Sequence, residues 1–269
     1  MNLKSLTAAM AVAFSLVACG GFETTDINID KLMYGNTTSI TVDGPNLDKG
    51  IQLAAPGCSG IAEVTASAAP SHKAYTCTPT VTGPLVVTVS GGGVVLRSIT
   101  VNIPVPQVTL KTSMGDIVME LDPGKAPLSA LNFMRYVNAD FYANLIFHRV
   151  IANFMIQGGG FSTGPTSKAP TYAAIKLESN NGLSNLRGTL AMARTDAADS
   201  ATSQFYINVV DNPSFDYVSA TQPGYAVFGK VVDGLPVVDA ISAVPTDAVN
   251  AMTDVPLTDV VIVSAVQTR

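Results

Sequence analysis

Residues 147–159 read Phe147-His148-Arg149-Val150-Ile151-Ala152-Asn153-Phe154-Met155-Ile156-Gln157-Gly158-Gly159. A single permanent cation, Arg149, stands among apolar and aromatic residues, and the amide Gln157 follows on the same segment. Spacing alone assigns Phe154, Met155 and the more distant Phe205 to ordinary core. The run Gly158-Gly159-Gly160 lacks the G-x-G-x-x-G or G-x-x-x-x-G-K spacing that cradles phosphate. The surrounding chain has 269 residues, 47% apolar and only 13% charged, so it holds ample material for a core and is not a disordered or solvating chain. Its net charge of −5 argues against binding nucleic acid, because an acidic surface repels phosphate backbones. The chain contains no Trp, three Cys and two His, His72 and His148, which lie too far apart in sequence to favour a His-rich metal site.

Outward from this segment the texture divides at a proline pair. Residues 29–103 read as short alternating strands, at Ser39–Val42, Ala62–Ala66, Lys73–Cys77, Leu85–Val89 and Leu96–Val101, with Gly/Pro/Asn/Asp breaks between them. This spacing predicts a small β-sandwich, immunoglobulin-like in outline. Pro104 and Pro106 make residues 104–106 a linker, since proline lacks the donor that a central strand needs. In residues 107–269, Val108–Thr112 and Asp116–Leu121 flank a turn at Ser113-Met114-Gly115. Pro127 opens a helix with Ala130, Phe133, Met134 and Val137 on one face. A second helix is expected from Leu235 to Ser242, and a last strand from Asp259 to Val266. The fold class is mainly β, with a closed barrel capped by two helices after the sandwich.

Three further blocks follow the first in order: Arg187-Gly188-Thr189-Leu190-Ala191-Met192-Ala193-Arg194, Ser203-Gln204-Phe205-Tyr206-Ile207-Asn208 and Tyr225-Ala226-Val227-Phe228-Gly229-Lys230-Val231. Together, across residues 107–269, the four blocks resemble the cyclophilins, the peptidyl-prolyl cis–trans isomerases. Asn180-Asn181-Gly182-Leu183 and the run 194–205 are similar to the bacterial branch. The resemblance implies an isomerase of X-Pro bonds that needs no cofactor and no metal. It implies that Arg149 is the catalytic arginine, that Phe154 and Met155 grip the proline ring, and that Phe215 walls the pocket. Gln157 and Gln204 are implied to bond substrate backbone or orient Arg149. Ala193 and the backbone of Arg194 match the strip along which substrate lies, and Thr195 matches the neighbouring groove. His148 has a structural place in the same pattern, which leaves little room for a hydrolase triad. Phe205 points the other way along its strand and is expected to stay core.

The chain departs from the family at three positions. Tyr206 stands where the family usually has Phe, and its hydroxyl needs a partner. Tyr225 stands where animal members often have His and bacterial members commonly have Tyr. The family's Trp position, associated with cyclosporin, falls near Ser214, so weak cyclosporin binding is expected. A non-catalytic, proline-binding chaperone module of the envelope is the alternative reading.

At the N-terminus, Lys4 precedes the apolar run 8–18, which is too short to span a bilayer core of about 30 Å and fits a signal peptide. Leu16-Val17-Ala18-Cys19-Gly20 resembles the lipobox of bacterial lipoproteins. That resemblance implies a signal peptide at 1–18, lipid on Cys19 and a tether at 19–28. The protein would then be anchored in the cell envelope, on the periplasmic side of the outer membrane in a Gram-negative cell. A plain signal peptide cleaved elsewhere is the alternative. Cys58 and Cys77 remain, and an exported chain meets an oxidising compartment, so a disulfide is expected over two free thiols. The partners are then X-Pro segments of unfolded or flexible envelope proteins.

Overall fold

The computed structural model describes residues 25–249 and 252–269. The expected signal peptide and Cys19 lie outside the described residues. The described chain forms two compact units, one comprising 25–32, 37–78 and 84–102, the other 33–36, 79–83 and 103–269.

The first unit holds β1 (Asp26–Ile29), β2 (Thr38–Asp43), β3 (Ile51–Ala54), β4 (Cys58–Glu63), β5 (His72–Pro79), β6 (Gly83–Gly91) and β7 (Val94–Ile103). They make a four-stranded sheet in the order β1-β2-β5-β4 and a three-stranded sheet in the order β3-β6-β7. Val42 and Tyr75 from the first sheet pack with Ile51 and Val89 from the second, around Leu47. Two features differ from the sequence reading. β1 begins inside the stretch expected to be a tether, because Ile27 pairs with Val42 and joins this core. Residues 62–66 do not form a strand of their own: β4 ends at Glu63 and a single 3-10 turn follows at Thr65–Ser67. Ala62 and Ala66 are exposed, so their alternation has no core to face. Cys58 and Cys77 are joined by a disulfide with Cα atoms 5.3 Å apart, tying the edge strand β4 to β5.

The second unit holds β8 (Gln107–Thr112), β9 (Gly115–Leu121), α1 (Pro127–Asn138), β10 (Leu145–Ile151), β11 (Met155–Ser162), β12 (Thr166–Ser167), β13 (Thr189–Met192), β14 (Phe205–Asn208), β15 (Val227–Asp233), α2 (Leu235–Ser242), β16 (Thr246–Val249), β17 (Met252–Pro256) and β18 (Val261–Gln267). Eight strands close in the order β10-β18-β8-β9-β15-β13-β14-β11, with β11 pairing back to β10. Closure removes the open edges that an antiparallel sheet would otherwise expose. Inside the barrel, Phe133 of α1 lies 5.3 Å from both Phe205 and Phe228 and 5.2 Å from Tyr142, measured between ring centres. Ala130, Phe133, Met134 and Val137 are all buried, as the helical spacing predicts. Both helices and the β8–β9 hairpin appear where the sequence places them, with Thr112 facing Gly115 across the turn.

α1 lacks a capping side chain of its own, since Ala126 precedes it. The first turn of a helix leaves backbone N–H groups without partners. Glu178, from a distant loop, fills that role: Leu128 N donates to Oε1 at 2.9 Å, and Ser129 donates to Oε2 from N at 2.7 Å and from Oγ at 2.8 Å. The carboxylate also meets the positive end of the helix dipole. Glu178→Ala should therefore destabilise the barrel by about 1–2 kcal/mol, read as a lower midpoint in urea unfolding. An unchanged midpoint would show that this cap contributes nothing.

Candidate active site

One row of strand partners builds the site. Arg149 on β10 faces Gln157 on β11, Gln157 faces Tyr206 on β14, Tyr206 faces Ala191 on β13, and Ala191 faces Val227 on β15. Residues opposite one another in a ladder project to the same side of the sheet, and residues two apart along a strand share that side. The row therefore carries a cation, an amide, an aromatic ring, a small residue and an apolar residue across one outer face of the barrel. Met155, two residues before Gln157, joins the same face. Phe205, beside Tyr206, points inward and is fully buried, as expected.

The turn between β10 and β11 supplies Phe154. Asn153 adopts φ +58°, a left-handed conformation that Asn tolerates better than most residues, and Phe154 N donates to Ile151 O at 3.2 Å. Phe154 then meets the ring of Phe215 edge-on at 5.1 Å. Phe215 lies 4.8 Å from Tyr225 and 6.1 Å from Tyr206. Met155, Ala191, Tyr206 and Val227 form the buried floor, ringed by half-buried Phe154, Ala193, Phe215 and Tyr225. The result is an aromatic-walled apolar depression sized by side chains from several strands, with Arg149 in the same strand row.

The Tyr206 hydroxyl has a partner that the sequence reading did not name. It donates to Asn185 Oδ1 at 2.8 Å. Asn185 is completely buried, and its amide donates to Asp216 Oδ1 at 2.9 Å and to Phe215 O at 3.1 Å. A second buried amide chain runs alongside: Asn212 Nδ2 donates to Asn208 Oδ1 at 2.8 Å and to Phe154 O at 3.0 Å. These asparagines hold the backbones that present Phe154 and Phe215. Burial pushes the Tyr206 hydroxyl well above the usual tyrosine range, so it stays protonated and donating.

On the polar side, Gln157 Nε2 donates to Gln204 Oε1 at 2.9 Å. Gly160 is glycine for a reason: a Cβ there would lie 2.6 Å from the Gln204 side chain. Gln157, Gln204, Ala193, Arg194 and Thr195 line a cavity of about 170 Å³ together with Ser200 and Thr202. Thr195 is tied to Ser200, its N and Oγ1 each 2.9 Å from Ser200 Oγ. The Arg194 side chain is spent structurally: Nε donates to Gly224 O at 3.0 Å, Nη1 to Thr195 O at 2.8 Å, and the guanidinium lies 4.6 Å from the Tyr225 ring centre. Arg149 differs. Its side chain is 41% exposed, and among the described residues its one ion pair runs from Nε to Asp254 Oδ2 at 3.5 Å. Asp254 was not legible as a site residue from local spacing.

Two other features are structural. Gly160-Phe161-Ser162-Thr163-Gly164 spells G-x-S-x-G, yet Ser162 ends β11 on the way into β12, and its hydroxyl donates to Thr166 O at 3.3 Å. A nucleophile elbow needs a strand-to-helix turn, which is not present here. His148 is buried, with its ring 4.5 Å from Phe161. Among the described residues no three His, Cys, Asp or Glu side chains gather as a metal site.

Comparison with known proteins bears on this geometry. Residues 107–267 match the family model described as cyclophilin-type peptidyl-prolyl cis-trans isomerase. A peptidyl-prolyl cis-trans isomerase of Acinetobacter baylyi is 57% identical over 157 residues, covering 58% of this chain and 82% of the relative. Peptidyl-prolyl cis-trans isomerase B of Escherichia coli is 54% identical over 159 residues, covering 58% of this chain and 96% of the relative. A crystal structure of a Cryptosporidium parvum cyclophilin-type isomerase superposes with a TM-score of 0.53 at 27% identity, covering 61% of this chain and 98% of the other.

Burial, reinforced by the neighbouring charge of Arg149, lowers the His148 pKa from 6.5 to about 4. Between those values the unfolded chain binds a proton that the folded chain refuses, so stability falls as pH drops through the window. The full loss attributable to His148 is about 3 kcal/mol. It is absent above pH 6.5 and complete below pH 4. Urea unfolding at a series of pH values should show a shallower acid loss for His148→Asn than for wild type, and equal slopes would refute this.

Proposed function

The chain belongs to the cyclophilin-type peptidyl-prolyl cis-trans isomerases, and we propose from that membership how its outer face accelerates X-Pro rotation. Rotation about a peptide bond faces a barrier of about 18–20 kcal/mol, because resonance gives the C–N bond double-bond character. For X-Pro the two isomers differ by only about 0.5–1 kcal/mol, so the equilibrium is near balance but slow. No covalent bond needs to break. What must be stabilised is a twisted amide, in which the proline nitrogen recovers its lone pair and becomes an acceptor.

Arg149 donates to that nitrogen. Its guanidinium is charged at any relevant pH, planar, and half-exposed at the rim of the depression. The proline ring seats on Tyr206 among Met155, Phe154 and Phe215, which excludes water from one side of the twisting bond and strengthens the donor. Gln157, Gln204 and the strip at Ala193 and Arg194 hold the flanking backbone, so that rotation is confined to one bond. Tyr206 serves as well as Phe for the ring contact, because its hydroxyl is already occupied by Asn185 on the far side. The single observation that carries this reading is the placement of Arg149 in the same strand row as Tyr206.

The test is the relaxation of a short X-Pro peptide, followed by NMR exchange. Wild type should accelerate the uncatalysed process of tens of seconds. Arg149→Ala should lose about 10²-fold or more in kcat/KM with unchanged thermal stability. A wild type that gives no acceleration would overturn the reading. In the same assay cyclosporin should inhibit only weakly, since exposed Ser214 offers no indole, and nanomolar inhibition would refute that.

The cellular setting is also proposed. The lipobox-like Cys19 and the Cys58–Cys77 disulfide support an exported, lipid-anchored isomerase acting on flexible or folding envelope proteins. Metabolic labelling with palmitate in a bacterial host should mark wild type and spare Cys19→Ala, which should also leave the membrane fraction. Labelling of both would sink the anchor at Cys19.

A further inference from the structure

We infer that Asp254 is a positioning residue for Arg149, setting which edge of the guanidinium meets substrate; this rests on the isomerase reading above. Asp254 sits on β17, the second strand of the hairpin with β16, outside the eight-stranded barrel. The pairing runs Thr246 to Pro256 and Asp247 to Val255, then shifts so that Val249 faces Met252. One extra residue is therefore accommodated on β17 beside Asp254, a bulge of the kind that re-aims a side chain. Asp254 itself takes φ +62°, a left-handed conformation costly for residues with a Cβ. The outcome is a carboxylate whose Oδ2 lies 3.5 Å from Arg149 Nε and also accepts from Thr253 Oγ1 at 3.0 Å.

The chemistry of the fork explains why this matters. A guanidinium offers five donors in a rigid plane. An anion at Nε engages one edge and leaves the Nη donors to face the depression. Arg149 needs such a hold. The amide that faces it across the ladder, Gln157, gives its donor to Gln204 instead. The pairing also costs little cationic character, because arginine remains protonated in either case. Two effects oppose each other: the carboxylate damps the positive potential, and it fixes the direction of the donor. Direction dominates, because donation to a single amide nitrogen fails when the fork turns away, whereas a half-exposed cation is already screened by water.

The test uses the full chain and five variants in the X-Pro relaxation assay, with thermal unfolding alongside. Asp254→Asn should lower kcat about 10-fold, or about 1.4 kcal/mol of barrier. KM should stay within about twofold and the melting temperature within about 2 °C. Asp254→Glu should recover part of the rate, because it restores charge. Asp254→Gly should keep or raise the melting temperature, since glycine is at ease at positive φ, yet lose kcat as Asp254→Asn does. In an Arg149→Lys background, Asp254→Asn should add less than about twofold, since the fork it positions is gone. A rate loss that tracks the melting temperature, or an Asp254→Asn variant with wild-type kcat while wild type accelerates the reaction, would overturn the positioning role alone. A wild type without acceleration would overturn it together with the isomerase reading.

Discussion

Strand register is the constraint on which the rest of this molecule depends. Arg149, Gln157, Tyr206, Ala191 and Val227 are brought side by side only because β10, β11, β14, β13 and β15 pair in one particular alignment. A slip of one residue would send Tyr206 into the barrel and Phe205 out to solvent, since side chains alternate across a strand. The interior forbids that slip. Phe133, Tyr142, Phe205 and Phe228 fit together at ring separations of 5.2–5.5 Å, and the one polar group among them, the Tyr142 hydroxyl, is paired, donating to Ser203 O at 2.9 Å. Packing inside the barrel thus holds the Arg149–Tyr206 row outside it, and closure of the eight strands ties each register to its neighbours.

Polar groups behind the apolar floor do complementary work. The aromatic walls at Phe154 and Phe215 are carried by a turn and a short 3-10 segment, and the carbonyl of each accepts a backbone N–H, Phe154 O from Val209 at 3.0 Å and Phe215 O from Tyr225 at 2.9 Å. Buried amides add a second donor to each: Asn212 holds Phe154 O and Asn185 holds Phe215 O. A fully satisfied buried network specifies one arrangement, because each member left unpaired would cost about 1–3 kcal/mol. Tyr206 is part of that network through its hydroxyl, so the departure from Phe at this position fastens the floor to its support rather than placing a polar group in the depression.

Much of this was legible locally. The helix at 127–138 follows from a proline start and apolar spacing, and the β8–β9 hairpin from two alternating runs around a short turn. The ordered blocks around Arg149, Ala193, Gln204 and Tyr225 pointed to the family. What escaped was of another kind. Glu178 as the cap of α1, Asn185 as the partner of Tyr206 and Asp254 as the partner of Arg149 each meet their targets across long stretches of chain. Nothing in the sequence around a lone Glu, Asn or Asp distinguishes it from a solvated neighbour. In the sandwich, the alternation at 62–66 implied a strand, but alternation needs a core on one side, and the edge of that sheet has none there.

By itself, then, the sequence determined which residue types stand in which order: the cation, the aromatic and apolar side chains that follow it, the helices, the pair of cysteines. Those are properties of composition and of periods that repeat every two or 3.6 residues. Only the tertiary structure decided which of those residues share a face, which hydroxyl is satisfied, and which carboxylate pairs with the arginine. Such pairings depend on register and closure, and these are set by the packing of the whole barrel rather than by any segment of it.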